Sequence, residues 1–110
     1  MMQREIWMAD LNPVSGSEQS GVRPVVIISG DSMNKYYNVV IICPLTTQIK
    51  NYKSCPIIQP DKINKLKSVS QVISFQIRTI SKLRLKKKVG SISDHILGQI
   101  KAGVNVVLDY

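Results

Sequence analysis

Residues 16–28, GSEQSGVRPVVII, pass from a polar loop through a single arginine into four consecutive β-branched residues. Such a run, bounded by turn formers, reads as a buried strand rather than a helix. Pro24 disfavours helical geometry at the residue before it, so Arg23 is held extended and its guanidinium stands where loop becomes sheet. Working outward, Val22–Ser29 and Asn38–Leu45 both read as central strands, and Glu5–Leu11 alternates as a half-buried strand does. SGDSMNKYYN, residues 29–38, reads as a hairpin-like connection between them. Tyr52–Gln59 is expected as a fourth strand, at an edge or bulge because it holds Pro56, and Ser70–Ile80 as a fifth.

The pattern changes in the last third. Ser81 is placed to cap a short basic helix over residues 82–88, with Leu83 turned inward and the lysines solvated. Ser93 is a good N-cap for a longer helix, in which Ile96, Leu97, Ile100, Val104 and Val107 fall on one face that should pack on the sheet. Gly98 and Gly103 each weaken that helix by about 1 kcal/mol relative to alanine. Several strands followed by a terminal helix predict a mainly β fold with a C-terminal α-helix, either a strongly bent antiparallel sheet or an open barrel. A length of 110 residues predicts one domain, 1–110, with a single core.

Composition narrows the function. An apolar content of 44% is too high for a disordered chain. Fifteen Lys and Arg against seven Asp and Glu leave a net charge of +8, which points to an anionic partner if the cations gather at a site and otherwise only to a soluble surface. The apolar runs 25–28 and 39–43 fall far short of the roughly 20 residues that span a bilayer, and the first residues lack the apolar core of a signal peptide. No membrane partner is expected, and a cytoplasmic location is the default. Cys43 and Cys55 read as two buried free thiols. No CxxC, His-rich tract or metal-ligand spacing occurs, so neither metal nor cofactor is expected.

Three polar clusters interrupt this apolar framework. The loop Asn12–Gly21 is longer than a hairpin needs, and it ends at Arg23, which can serve either a ligand or a structural ion pair with Asp10 or Glu18. Thr46, Thr47 and Gln48 follow the strand signal VVIICPL, and a hydroxyl and a guanidinium converge if the two strand ends adjoin. Ser74, Gln76 and Arg78 alternate in SFQIRT and can share one strand face. Lys50–Lys67 and Lys82–Lys88 hold five cations each, suited either to steering phosphates along a groove or to plain solvation.

Taken together and in order, EIW, GSEQxGxRP, PLTT and QIRT resemble the MazF/PemK/Kid family of toxin ribonucleases over essentially the whole chain. The resemblance implies an SH3-like barrel of the MazF/Kid/CcdB type and a homodimer. It implies a type II toxin that cleaves single-stranded mRNA without metal, sequence-specifically, by 2′-hydroxyl attack to a 2′,3′-cyclic phosphate, and so stops translation and growth. A cognate acidic antitoxin would inhibit it. Position by position, Arg23 and Thr46 match the family's catalytic arginine and threonine. Ser17, Glu18 and Gln19 match its substrate-contacting loop, and Thr47, Gln76 and Arg78 join them as substrate-binding residues. Phe75 stands where many members are acidic, and Ser17 where some place a histidine, so proton transfer through either group is not expected here. Two other readings share the barrel: a CcdB-type toxin that poisons gyrase, and a non-catalytic nucleic-acid-binding barrel that uses the lysines alone. A phosphate clamp made of Arg23 and Thr46 favours the ribonuclease over the gyrase poison, which has no need of one.

Overall fold

The computed structural model describes residues 1–13, 16 and 21–109. Among them, seven strands and two helices follow in the order β1 (Glu5–Asp10), β2 (Val22–Ile27), α1 (Asp31–Tyr36), β3 (Val39–Thr46), β4 (Ile57–Ile58), β5 (Ser70–Val72), β6 (Arg78–Ser81), β7 (Leu85–Ser91) and α2 (Asp94–Leu108). Paired strands lie in the order β4-β5-β3-β2-β1-β7, with β6 also on β3.

The sheet bends at β3. Its first half, Val39–Ile42, pairs antiparallel with β6, whereas Leu45 and Thr46 pair with β5. Pro44 falls between the two halves, and a residue with no N–H suits the point where a strand exchanges one neighbour for another. On its other edge β3 pairs with β2 through Val25–Pro44, Val26–Cys43 and Ile27–Ile42. That ladder stops one residue short of Pro24. The N–H of Ile28 donates to the Ile41 carbonyl at 2.9 Å, so by two-residue alternation the nitrogen of Pro24 also faces β3. It has no hydrogen to give, and the strands part there.

Both faces of the sheet are apolar, which explains the unbroken β-branched runs. One face carries Ile6, Val26, Cys43, Leu45 and Val72 and is covered by Leu97, Ile100 and Val104 of α2. The other carries Ala9, Val25, Ile27, Val40 and Ile42 and is closed by Leu11, Ile80 and Leu85. Both cysteines are buried and unpaired with each other. Burial, and secondarily the neighbouring Cys55, push the Cys43 thiol up to about 12, so it is an inert core group.

Four sequence expectations need correction. Residues 31–36 form a short helix rather than a hairpin connection, with Asp31 in its first turn and Lys35 in its last, where the helix dipole favours them. The fourth strand shrinks to Ile57–Ile58, though it does lie at the sheet edge. The fifth is broken into β5, a 3₁₀ turn over Ser74–Gln76, and β6. The basic stretch is a strand. Ser81 caps only a 3₁₀ turn, Lys82–Arg84, by accepting the Leu83 N–H, after which β7 pairs with β1. Leu85 turns inward in place of Leu83, which is 86% exposed, because pairing along an open sheet edge overrides the helix propensity of Leu and Lys. Lysines on this outermost strand also discourage pairing with another sheet. The long helix begins where expected, with Ser93 Oγ accepting the Ile96 N–H at 3.2 Å, but Val107 stays partly exposed at its far end.

Candidate active site

The parting of β2 and β3 makes a cleft. Arg23 continues the β2–β3 register to a position opposite Thr46, and the two line one cleft of about 230 Å³ together with Val22, Pro24, Leu45 and Thr47. Thr46 is 8% exposed and its hydroxyl accepts the Gln48 N–H at 3.1 Å. That bond fixes the oxygen and leaves its own hydrogen to be donated elsewhere. The two strand ends therefore adjoin, with Arg23 and Thr46 on the wall of one cleft.

Gln76 approaches Thr46 from the other side. It lines a second cleft, of about 170 Å³, with Thr46, Gln48, Lys50, Tyr52 and Phe75. Arg78 pairs with Ile42 in the β3–β6 ladder, four residues and on the order of 13 Å along β3 from Thr46. Ser74 does not share the face of Gln76: it is fully buried, and its hydroxyl donates to the Ser54 carbonyl at 2.8 Å. Ser17, Glu18 and Gln19 lie outside the described residues. The neck of their loop is fastened beside Arg23. Leu11 N–H donates to the Gly21 carbonyl at 3.0 Å, Gly21 N–H to Asn12 Oδ1 at 3.1 Å, and Arg84 donates to the carbonyls of Asp10 and Asn12. Gly21 has φ of +76°, a conformation that a glycine adopts without strain.

A third cleft, of about 690 Å³, shares Pro24, Thr47 and Ser70 with the first. Lys65 and Lys67 enter it from one basic segment of the sequence and Lys87 and Lys88 from the other. The two lysine clusters thus meet on one groove that runs into the Arg23–Thr46 cleft. Lys88 is held at 3.2 Å by Glu5, whose Oε1 also accepts the Trp7 indole N–H at 2.9 Å. Burial pushes the Glu5 carboxyl up, but the bonds from Trp7, the Met2 N–H and Lys88, with the N-terminal charge, outweigh it and hold the group below its ordinary 4.5.

Two of the three buried amides among the described residues, Gln71 and Asn64, shape long loops and went unnoticed in the sequence. Gln71 is fully buried. Its Oε1 accepts the Lys50 N–H at 2.9 Å while its Nε2 donates to the carbonyls of Lys50 and Cys55 at 3.0 and 3.1 Å. It thereby shapes residues 50–55, which bring Lys50 and Tyr52 to the second cleft. Asn64, 2% exposed, does the same for residues 59–66, accepting from Asp61 and Leu66 and donating to the Gln59 carbonyl. The available signal was a lone amide inside a strand-like stretch, SVSQVIS for Gln71.

Among the described residues, no group of three His, Cys, Asp or Glu side chains is placed to hold a metal ion. Nor, among them, is any helix long and apolar enough to cross a membrane.

Comparison with known proteins agrees with this fold. The chain is 40% identical over 110 residues to Endoribonuclease MazF of Staphylococcus saprophyticus, covering 98% of this chain and 92% of that one. In fold it is similar to the crystal structure of MazF from Deinococcus radiodurans, with a TM-score of 0.86, 19% identity, and 100% and 97% of the two chains covered. A mycobacterial endoribonuclease in complex with its cognate antitoxin superposes with a TM-score of 0.83 at 19% identity, over 99% and 95% of the chains. These structural likenesses bear on fold, and they place the bent sheet with its terminal helix among MazF structures. The family described as PemK-like, MazF-like toxin of type II toxin-antitoxin system matches residues 2–108, which span both the Arg23–Thr46 cleft and the lysine groove, and this chain belongs to that family.

Proposed function

We propose that this toxin cleaves single-stranded RNA in the cleft between Arg23 and Thr46, with the chain 1–110 acting as one endoribonuclease domain. The observation that carries the reading is the meeting of these two side chains where β2 and β3 part, at the end of a groove lined by Lys65, Lys67, Lys87 and Lys88.

RNA supplies its own nucleophile. The 2′-hydroxyl oxygen attacks the adjacent phosphorus and loses its proton, the bond to the 5′-oxygen breaks, and that oxygen takes a proton as it leaves. The products are a 2′,3′-cyclic phosphate and a 5′-hydroxyl. Negative charge grows on the non-bridging oxygens during this step. A guanidinium forks onto two such oxygens and stabilises them more as charge develops, and the Thr46 hydroxyl adds a donor from a fixed position. A guanidinium keeps its proton up to about pH 12, so Arg23 acts as a clamp and not as the base. Thr47 and Gln76 flank the phosphate on either side, and Ser17, Glu18, Gln19 and Arg78 extend the substrate contacts. His95, in the first turn of α2, is exposed and takes no part.

The protein works in the cytoplasm as a homodimer, and its inhibitor is an acidic antitoxin that competes with RNA for the cationic groove. The test is incubation of the purified protein with single-stranded RNA in EDTA, followed by analysis of the fragment ends. Cyclic phosphate and 5′-hydroxyl ends are expected. Loss of cleavage in EDTA, or equal cleavage of single-stranded DNA, overturns the reading.

A further inference from the structure

The cleft on the far side of Thr46 from Arg23 has a wall that phosphate chemistry does not require. Tyr52 and Phe75 stand there with ring centroids 5.1 Å apart and planes at 85°, edge to face. Both remain substantially exposed, at 39% and 43%. An edge-to-face pair covers one ring face and leaves another open to a third flat group. The more exposed Tyr36 and Tyr37 line neither cleft that reaches Thr46. Ile73 contributes further apolar surface, and Gln48 and Gln76 bring amides, each carrying both donors and an acceptor, to the same 170 Å³.

The wall is also held in shape before any ligand arrives. Gln71 ties residues 50 and 55 to β5, Ser74 ties Ser54 to the 3₁₀ turn that carries Phe75, and Gly103 lets α2 press against the Ser54 carbonyl. A rigid aromatic face, flanking amides and a nearby lysine, beside a phosphate site, suit one kind of occupant.

We propose that this cleft is a nucleobase subsite, in which one base next to the scissile phosphate stacks on the Phe75–Tyr52 wall and is read by Gln48 and Gln76. It rests on the ribonuclease reading above, and it makes Phe75 and Tyr52 base-binding residues and Gln48 and Gln76 the specificity-determining ones. Stacking of a base on an aromatic side chain is sequence-tolerant, so the wall gives affinity while the amides give preference.

The test begins by mapping a cleavage site on a long single-stranded RNA with the unaltered protein. Failure to cleave or bind RNA at that stage overturns the ribonuclease reading itself. An oligonucleotide spanning the mapped site, with a 2′-methoxy group at the scissile nucleotide to block attack, is then prepared with an abasic residue at each position in turn. One abasic position beside the scissile phosphate is expected to lose about 5- to 150-fold in affinity with the unaltered protein. Phe75→Ala should abolish that penalty and leave the penalties elsewhere unchanged, while Phe75→Tyr, which keeps the ring, should preserve it. In a separate arm, 2-aminopurine at the same position should be quenched by the unaltered protein and by Phe75→Tyr but not by Phe75→Ala. An identical abasic profile in all three proteins overturns the proposal. So does a Phe75→Ala variant that binds every RNA normally but loses affinity for the antitoxin, since the cleft would then hold a peptide side chain.

Discussion

Thr46 and Gln71 are partners on one rung of the β3–β5 ladder, so the hydroxyl at the proposed cleavage site and the amide that shapes the neighbouring loop are joined through backbone hydrogen bonding. Gln71→Ala leaves the Lys50 N–H and two carbonyls without their partners, at a cost of about 1–3 kcal/mol. The expected result is a lower denaturant midpoint together with slower RNA cleavage. Gln71→Glu, which keeps an acceptor for Lys50 but loses the donors to Lys50 and Cys55, should fall below the unaltered protein on both counts. Cleavage at full rate in a destabilised Gln71→Ala protein would separate the loop from the chemistry.

The clamp is tested by substitutions that keep either charge or shape. Arg23→Lys retains a cation but loses the fork, and it should recover little of the activity that Arg23→Ala removes. Thr46→Val keeps the shape without the hydroxyl, and a loss on the order of 100- to 1,000-fold in cleavage rate is expected, as for removal of one charge-stabilising donor. Thr46→Ser should retain most of the rate because its hydroxyl can accept the Gln48 N–H in the same way. Single-turnover cleavage, with thermal unfolding measured alongside, distinguishes lost chemistry from lost fold.

The two glycines of α2 should respond in opposite directions. A Cβ on Gly98 meets nothing within 4 Å, so Gly98→Ala is expected to stabilise the protein by about 0.5–1 kcal/mol through helix propensity and a less flexible unfolded chain. On Gly103 the same atom would lie 2.0 Å from the Ser54 carbonyl oxygen and 2.9 Å from Ser74 Oγ. Gly103→Ala must push α2 off residue 54, and a loss of about 1–3 kcal/mol is expected. Chemical denaturation of the two variants reads both signs.

The Glu5 carboxyl is held below its ordinary 4.5, so the unfolded chain binds more protons than the folded one in the acid range. Its contribution is fully present above pH 4.5 and is lost as pH falls through the lowered native value. Glu5→Gln should therefore be less stable than the unaltered protein near pH 7, and the two should converge as pH falls through that lowered value. Melting temperatures across this range check it. A gap that stays constant down to pH 3 would mean that the charge on Glu5 does not stabilise the fold.

The residues legible in the sequence were those that declare themselves by local pattern. VVII and VVIIC are buried on both faces, and only a central strand satisfies that in so few residues; Ser93 caps α2 by purely local geometry. The pattern of residues 82–88 suggests a helix because the evidence for the strand that begins at Leu85 lies some eighty positions away, in β1. Gln71 and Asn64 escaped for a similar reason. Their partners are loop carbonyls and amide hydrogens that no side-chain pattern reveals. The candidate residues could be named from sequence, whereas the adjacency of Thr46 to both clefts needed the bend at Pro44.

Because Pro24 has no hydrogen to offer Leu45, the gap holding Arg23 and Thr46 belongs to the main chain and not to the bulk of any side chain around it. Substitutions at Val22, Leu45 or Thr47 can recontour the gap without zipping it shut. A lineage carrying this backbone can change the lining of the gap by small surface substitutions and still inherit the gap itself.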